Sequence, residues 1–157
     1  MTDCLKRPIQ SWWVDIESQL GTEFNYDFWT LNVPRRSTFM SCRATIAASY
    51  QNAQEQMIDA IQCAYYLRAM NPSDVTILVQ LAKELNLDVE RFERDILSEE
   101  LEQEFSRQLT LARQLPIDGF PSLVLAVGGV MQPIDRDYHD HKVMLDQING
   151  AINMANG

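Results

Sequence analysis

Residues 111–129, LARQLPIDGFPSLVLAVGG, mark the point where the period of the chain changes. Upstream, Leu101, Phe105, Leu109 and the pair Leu111-Ala112 recur at helical spacing behind a cap at Ser98, and Pro116 ends the helix. From Pro121 the pattern becomes one continuous apolar run, Ser122–Val127, closed by Gly128-Gly129, the signature of a strand entering a tight turn. VMQPID (130–135) then reads as the partner strand, and Pro133 argues for an edge position. The last segment, 137–155, reads as a helix with Val143, Leu145, Ile148, Ile152 and Met154 apolar.

Everything N-terminal to this junction reads as helix or loop. Pro8 suits a first turn, and Ile9, Trp12, Trp13, Ile16 and Leu20 follow at helical spacing, with Gly21 as the stop. Residues 22–34, TEFNYDFWTLNVP, read as an ordered aromatic loop with a short extended stretch, because Pro34 disfavours helix at Val33. A helix over 37–51 carries small apolar positions, Ala44, Ala47 and Ala48, which imply close packing against another element. Residues 53–70 form an amphipathic helix through Met57, Ile58, Ile61, Ala64, Tyr65 and Leu67. Asn71-Pro72 breaks it, Ser73 or Asp74 caps the next helix (75–86), and 88–98 presents Val89, Phe92 and Ile96 on one face.

The bulk properties narrow the function classes. The 157 residues are 46% hydrophobic and 22% charged, with a formal net charge of -9 and a pI near 4.6. Such an acidic surface repels phosphate backbones and anionic membranes, so nucleic-acid and membrane partners are not expected. No apolar run approaches the roughly 20 residues of a membrane helix, and MTDCLKRPIQSWW has no apolar signal core, so the expected compartment is the cytoplasm. Cys4, Cys42 and Cys63 are odd in number and far apart, with no C-x-x-C, and read as reduced thiols. With only His139 and His141 available, no metal site and no cofactor are called for. The two histidines, with Asp137 and Asp140, read as capping and surface residues, since H-x-H side chains do not share a helical face.

The order helix, Gly-Phe-Pro, apolar strand, tight turn, second strand, last helix resembles the second half of a thioredoxin fold. LARQLPIDGFPSLVLAVGG resembles the end of a helical insertion running into the cis-proline loop of DsbA-type proteins. PRRSTFMSCRA (34–44) and AYYLRAMNPSD (64–74) resemble the branch related to 2-hydroxychromene-2-carboxylate isomerases. The resemblance spans about residues 8–155. It implies an α/β class, mostly α as written: one incomplete thioredoxin-like domain over 1–157, with a helical insertion at 35–116 and the C-terminal ββα half at 117–157. It also implies a cis Phe120–Pro121 peptide.

In that family a first strand leads into a C-x-x-C at a helix N-terminus, where the helix dipole and backbone amides lower the thiolate pKa. The 157 residues contain no such segment, and Cys4, alone in a polar stretch, is not the nucleophile. Either the chain is a truncated product or it is a variant that has dispensed with redox chemistry. Truncation is the favoured expectation, because a lone hairpin is marginal in water. No catalytic residue is therefore assigned.

The substrate-binding candidates are Gly119, Phe120 and Pro121, which in the resembled folds lie beside the thiolate and pair with an extended thiol or peptide substrate. Arg36 and Ser37, in the cationic stretch Pro34–Ser37, are candidates for an anionic partner, the alternative being arginines paired with local carboxylates. Cys42, among small residues, reads as packed. Trp12, Trp13, Phe24, Tyr26, Phe28 and Trp29 read as core, the alternative being a platform for a partner. The functional expectation is a DsbA-like thiol–disulfide oxidoreductase family member, redox-inactive as written. A glutathione-linked isomerase relative and a non-enzymatic binding or assembly protein remain open. Because Ser122–Val127 is apolar on both faces, self-association into a homo-oligomer is also expected.

Overall fold

The computed structural model describes residues 3–35 and 37–156, and the side chains of 6–35 and 37–155. The helices are α1 (Asp3–Leu20), α2 (Phe28–Leu31), α3 (Phe39–Ser49), α4 (Gln54–Tyr66), α5 (Val75–Glu84), α6 (Val89–Ile96), α7 (Glu99–Gln114) and α8 (His141–Asn156). The strands β1 (Leu123–Val127) and β2 (Val130–Ile134) lie between α7 and α8 and form an antiparallel two-stranded sheet. Backbone contacts group the chain into two units, Met1–Phe105 and Ser106–Gly157.

In the first unit α3 is the hub, packing on α4, α5 and α6. Ala44, Ala47 and Ala48 are completely buried, so the neighbouring helices approach its backbone closely, as their small size implied. Met57 and Ala64 of α4, Leu78, Leu81 and Ala82 of α5, and Phe92 and Ile96 of α6 complete this core with Leu101. The helix ends follow local chemistry. Asp88 accepts from the Arg91 amide at the start of α6, and the Ser98 hydroxyl accepts from the Leu101 amide at the start of α7. Asn86 takes a positive φ of 57° beyond α5, and the Leu87 amide returns to the Ala82 carbonyl at 3.0 Å, closing the helix.

Two expectations need correction. Helix α1 begins at Asp3, so Pro8 lies inside it. Along α1 the expected apolar face is only partly used: Trp13 is 4% exposed, whereas Trp12 is 58% exposed and Ile16 and Leu20 are also exposed. The segment 22–34 is a loop with extended backbone at Asn32, as read, but it also holds the unexpected one-turn helix α2, because Phe28 and Trp29 both turn inward onto Trp13.

That segment is fastened to the end of α4 by amides. The Asn25 backbone N–H donates to the Tyr66 carbonyl (2.7 Å), Asn25 Nδ2 to the Leu67 carbonyl (3.1 Å) and Asn32 Nδ2 to the Ala69 carbonyl (2.7 Å). These donors satisfy carbonyls that a helix C-terminus leaves without partners. Arg68 then bridges to α5 through two bonds to Glu84 (2.7 and 2.9 Å), and with Gln80 it holds the Glu84 carboxyl down to about 2.

In the second unit, Gly128 and Gly129 take φ of 58° and 79°, the positive values that a type I′ two-residue hairpin turn requires at both central positions. The register pairs Leu123 with Ile134 and Val127 with Val130. Pro133 stands opposite Val124 on β2, whose one strand partner among the described residues is β1. Helix α8 packs on both strands, and Gln147 clamps the end of β2: Asp135 N–H donates to Gln147 Oε1 (3.0 Å), and Gln147 Nε2 donates to the Asp135 carbonyl (3.2 Å). The helix starts four residues later than its sequence pattern suggested, because Asp137 accepts from the amides of His139 and Asp140 (2.8 Å each) in a local turn. Those two bonds hold the Asp137 carboxyl below its usual range.

The packing around α3 makes a direct prediction. Phe92→Ala removes a fully buried ring and should destabilise the chain by about 3–5 kcal/mol. Leu97→Ala, at a side chain 67% exposed one residue beyond α6, should stay within about 0.5 kcal/mol. Urea unfolding followed by circular dichroism compares the two directly.

Candidate functional site

The Gly119–Phe120–Pro121 loop joins α7 to β1. Pro116 cannot continue the helix, and the Ile117 amide turns back to the Leu115 carbonyl at 2.9 Å. The Phe120–Pro121 peptide is cis. Ser122 Oγ donates to the Gly119 carbonyl at 2.5 Å and tethers the loop across the Phe-Pro pair. Phe120 projects outward and is 82% exposed, which is unusual for a phenylalanine three residues before a strand. Beside it lies a cleft of about 200 Å³ lined by Pro116–Gly119, Ser122, Leu123 and the end of β2 through Arg136. This volume falls below the roughly 300–1,000 Å³ of small-molecule sites and suits a single side chain.

The other candidates belong to the first unit. Arg36 lies outside the described residues. Ser37 is engaged locally: its hydroxyl accepts from the Phe39 amide (3.4 Å) and its carbonyl accepts from Ser73 Oγ (3.2 Å). Arg35 forms an ion pair with Asp74, which explains why Asp74 stands at the N-cap of α5 without capping it. Ser37 and Arg35 border a cavity of about 390 Å³ whose apolar wall includes Phe28, Ile61 and Tyr65. Sequence reading missed the role of Asn71 there. It is 5% exposed; its Nδ2 donates to the Val33 carbonyl (3.3 Å) and its Oδ1 accepts from the Ser73 amide (3.1 Å). Its signal was an Asn preceding Pro72, a pattern read only as a turn.

The two described thiols form no disulfide. Cys42 is half-buried on α3, Cys63 is exposed on α4, and both are free. Among the described residues no three His, Cys, Asp or Glu side chains gather in a way that could hold a metal ion. No described helix is long and apolar enough to cross a membrane.

Residues 5–128 match the family described as Thioredoxin. The chain belongs to the thioredoxin family. Two solved structures share the thioredoxin-like fold. One, from Nitrosomonas europaea and provisionally described as a protein disulfide isomerase, aligns with a TM-score of 0.81 at 23% identity, covering 100% of this chain and 78% of that one. The other, the cytosolic disulfide reductase DsbM from Pseudomonas aeruginosa, aligns with a TM-score of 0.66 at 22% identity, covering 91% of this chain and 71% of that one. No curated protein matches. For this thioredoxin-family chain the fold class is therefore mostly helical with a two-stranded antiparallel sheet, as the resemblance implied.

The cavity wall yields a prediction. Burial, with a smaller contribution from neighbouring Tyr66, pushes the Tyr65 hydroxyl up to about 12. The unfolded chain ionises first, near pH ~10, so stability from this group is complete below that pH and is lost as pH rises toward 12. An alkaline titration of tyrosinate absorbance should show one tyrosine ionising near 12. That step should vanish in Tyr65→Phe.

Proposed function

We propose that this chain acts within DsbA-like thiol–disulfide chemistry as a substrate-docking element and does not itself turn over dithiols. The observation that carries the reading is Phe120, 82% exposed in the loop that opens directly onto β1. Among the described residues β1 pairs only with β2, so its other edge offers main-chain donors and acceptors. An extended peptide can add to such an edge while one side chain enters the cleft beside Gly119. In this reading Gly119, Phe120 and Pro121 contact a thiol- or disulfide-bearing peptide, and Arg36 and Ser37 separately hold an anionic group. The chain is one domain, with the insertion at 35–116 and the ββα half at 117–157.

The 157 residues contain no C-x-x-C, and Cys42 and Cys63 are free on different helices. Free thiols suit a reducing compartment, and we place the protein in the cytoplasm. The hairpin also leaves Leu123, Val130 and Met131 exposed, and a second copy of the chain is the proposed cover in the absence of substrate.

Three outcomes follow. Insulin reduction with dithiothreitol should run at the same rate with wild type as with a Cys4→Ser, Cys42→Ser, Cys63→Ser variant; activity lost in the variant overturns the redox-silent reading. Phe120→Ala should weaken binding of an extended cysteine-containing peptide about fivefold or more without lowering Tm. Light scattering at micromolar concentration should report a dimer, and a monomer contradicts the self-association.

A further inference from the structure

A further cavity, of about 460 Å³, opens between α1, the 22–24 segment and α4, and none of the residues assigned above to substrate docking lines it. Its floor is aromatic and apolar, formed by Trp13, Ile16, Phe24 and Tyr66. The rings support one another: Trp13 stacks on Phe24 at 4.8 Å, and Tyr66 meets Phe24 edge-on at 5.5 Å. Two carboxylates, Glu23 and Asp59, complete the lining from opposite elements, and no Lys or Arg takes part in it. Among the described residues neither carboxylate has an ion-pair or hydrogen-bond partner, whereas Glu84, Glu102, Asp74 and Asp95 are all paired with arginines.

We propose that this cavity binds a small organic cation with an apolar body, such as an aryl or alkyl ammonium. The chemistry is selective by sign. Ring faces carry negative quadrupole potential and attract a cation lying within about 6 Å. The two unpaired carboxylates add charge attraction at the rim and repel any anion, as does the net charge of -9. The apolar floor takes the hydrocarbon body, and the volume lies within the range of small-molecule sites. The site stands independently of the docking loop and of any redox role.

The test uses the whole chain and benzyltrimethylammonium, with neopentylbenzene as its neutral isostere. Calorimetric titration should show saturable binding of the cation and at least tenfold weaker binding of the isostere. Glu23→Gln and Asp59→Asn should each weaken the cation about three- to fivefold, and the pair together about tenfold or more. Glu93→Gln, the same charge change on α6, should leave affinity within about twofold. Cys63 lines this cavity and is exposed, so it reports location in the unaltered protein: saturating cation should slow its alkylation by iodoacetamide, read by peptide mapping. Equal affinity for the isostere, an unchanged double variant, an unprotected Cys63, or no saturable binding at millimolar cation overturns the proposal.

Discussion

The burial of a single indole organises the N-terminal third of the chain. Trp13 touches Phe24, Trp29 and Tyr65 at centroid distances of 4.8, 5.0 and 5.6 Å, joining α1, the 22–34 segment and α4. Phe28 closes the set against Tyr65 at 4.5 Å. Aromatic pairs in such edge and offset geometries add to the gain from burial alone. The rest follows from this seam. Phe28 and Trp29 can both face it only if the backbone between them turns as helix, which makes α2, and the amides of Asn25 and Asn32 are then in reach of the α4 carbonyls. The same packing leaves Trp13, Phe24 and Tyr66 in the wall of a cavity instead of a continuous core.

The hairpin is under the opposite constraint. β1 is apolar at every position, yet none of its residues is fully buried; Ile134 of β2 and Ala151 of α8 are the buried points of that unit. Helix α8 covers part of the sheet, and Gln147 fixes it there by two bonds to Asp135. What remains is an edge of β1 with no strand partner among the described residues, preceded by the exposed Phe120, and it is this edge that the proposed docking role uses.

Much of this was legible in the sequence because the signals were local. The Gly-Gly turn, the Ser98 cap, the small-residue face of α3 and the period change at Pro116–Pro121 each depend on a few neighbouring residues, and each stands where the pattern placed it. The misreadings share a cause, in that a tertiary contact decided them. Trp12 and Trp13 are equally apolar, and only the position of Phe24 and Trp29 tells which turns inward. α2 exists because of Trp13, fifteen residues or more away. Asp74 looked like a cap until Arg35 claimed its carboxylate. At the candidate site the loop itself was readable from Gly119-Phe120-Pro121, whereas the adjoining cleft, built partly from Asp135 and Arg136 beyond the hairpin, was not.

The measurement that bears most directly on the docking role is an amide chemical-shift map of the ¹⁵N-labelled chain titrated with an extended cysteine-containing peptide. The account predicts saturable shifts concentrated in Gly119 and Phe120 and along β1 from Leu123 to Val127, with slowed hydrogen exchange on the outer edge of that strand. Shifts confined to the helices of residues 3–105, with the loop and β1 unmoved, would contradict it.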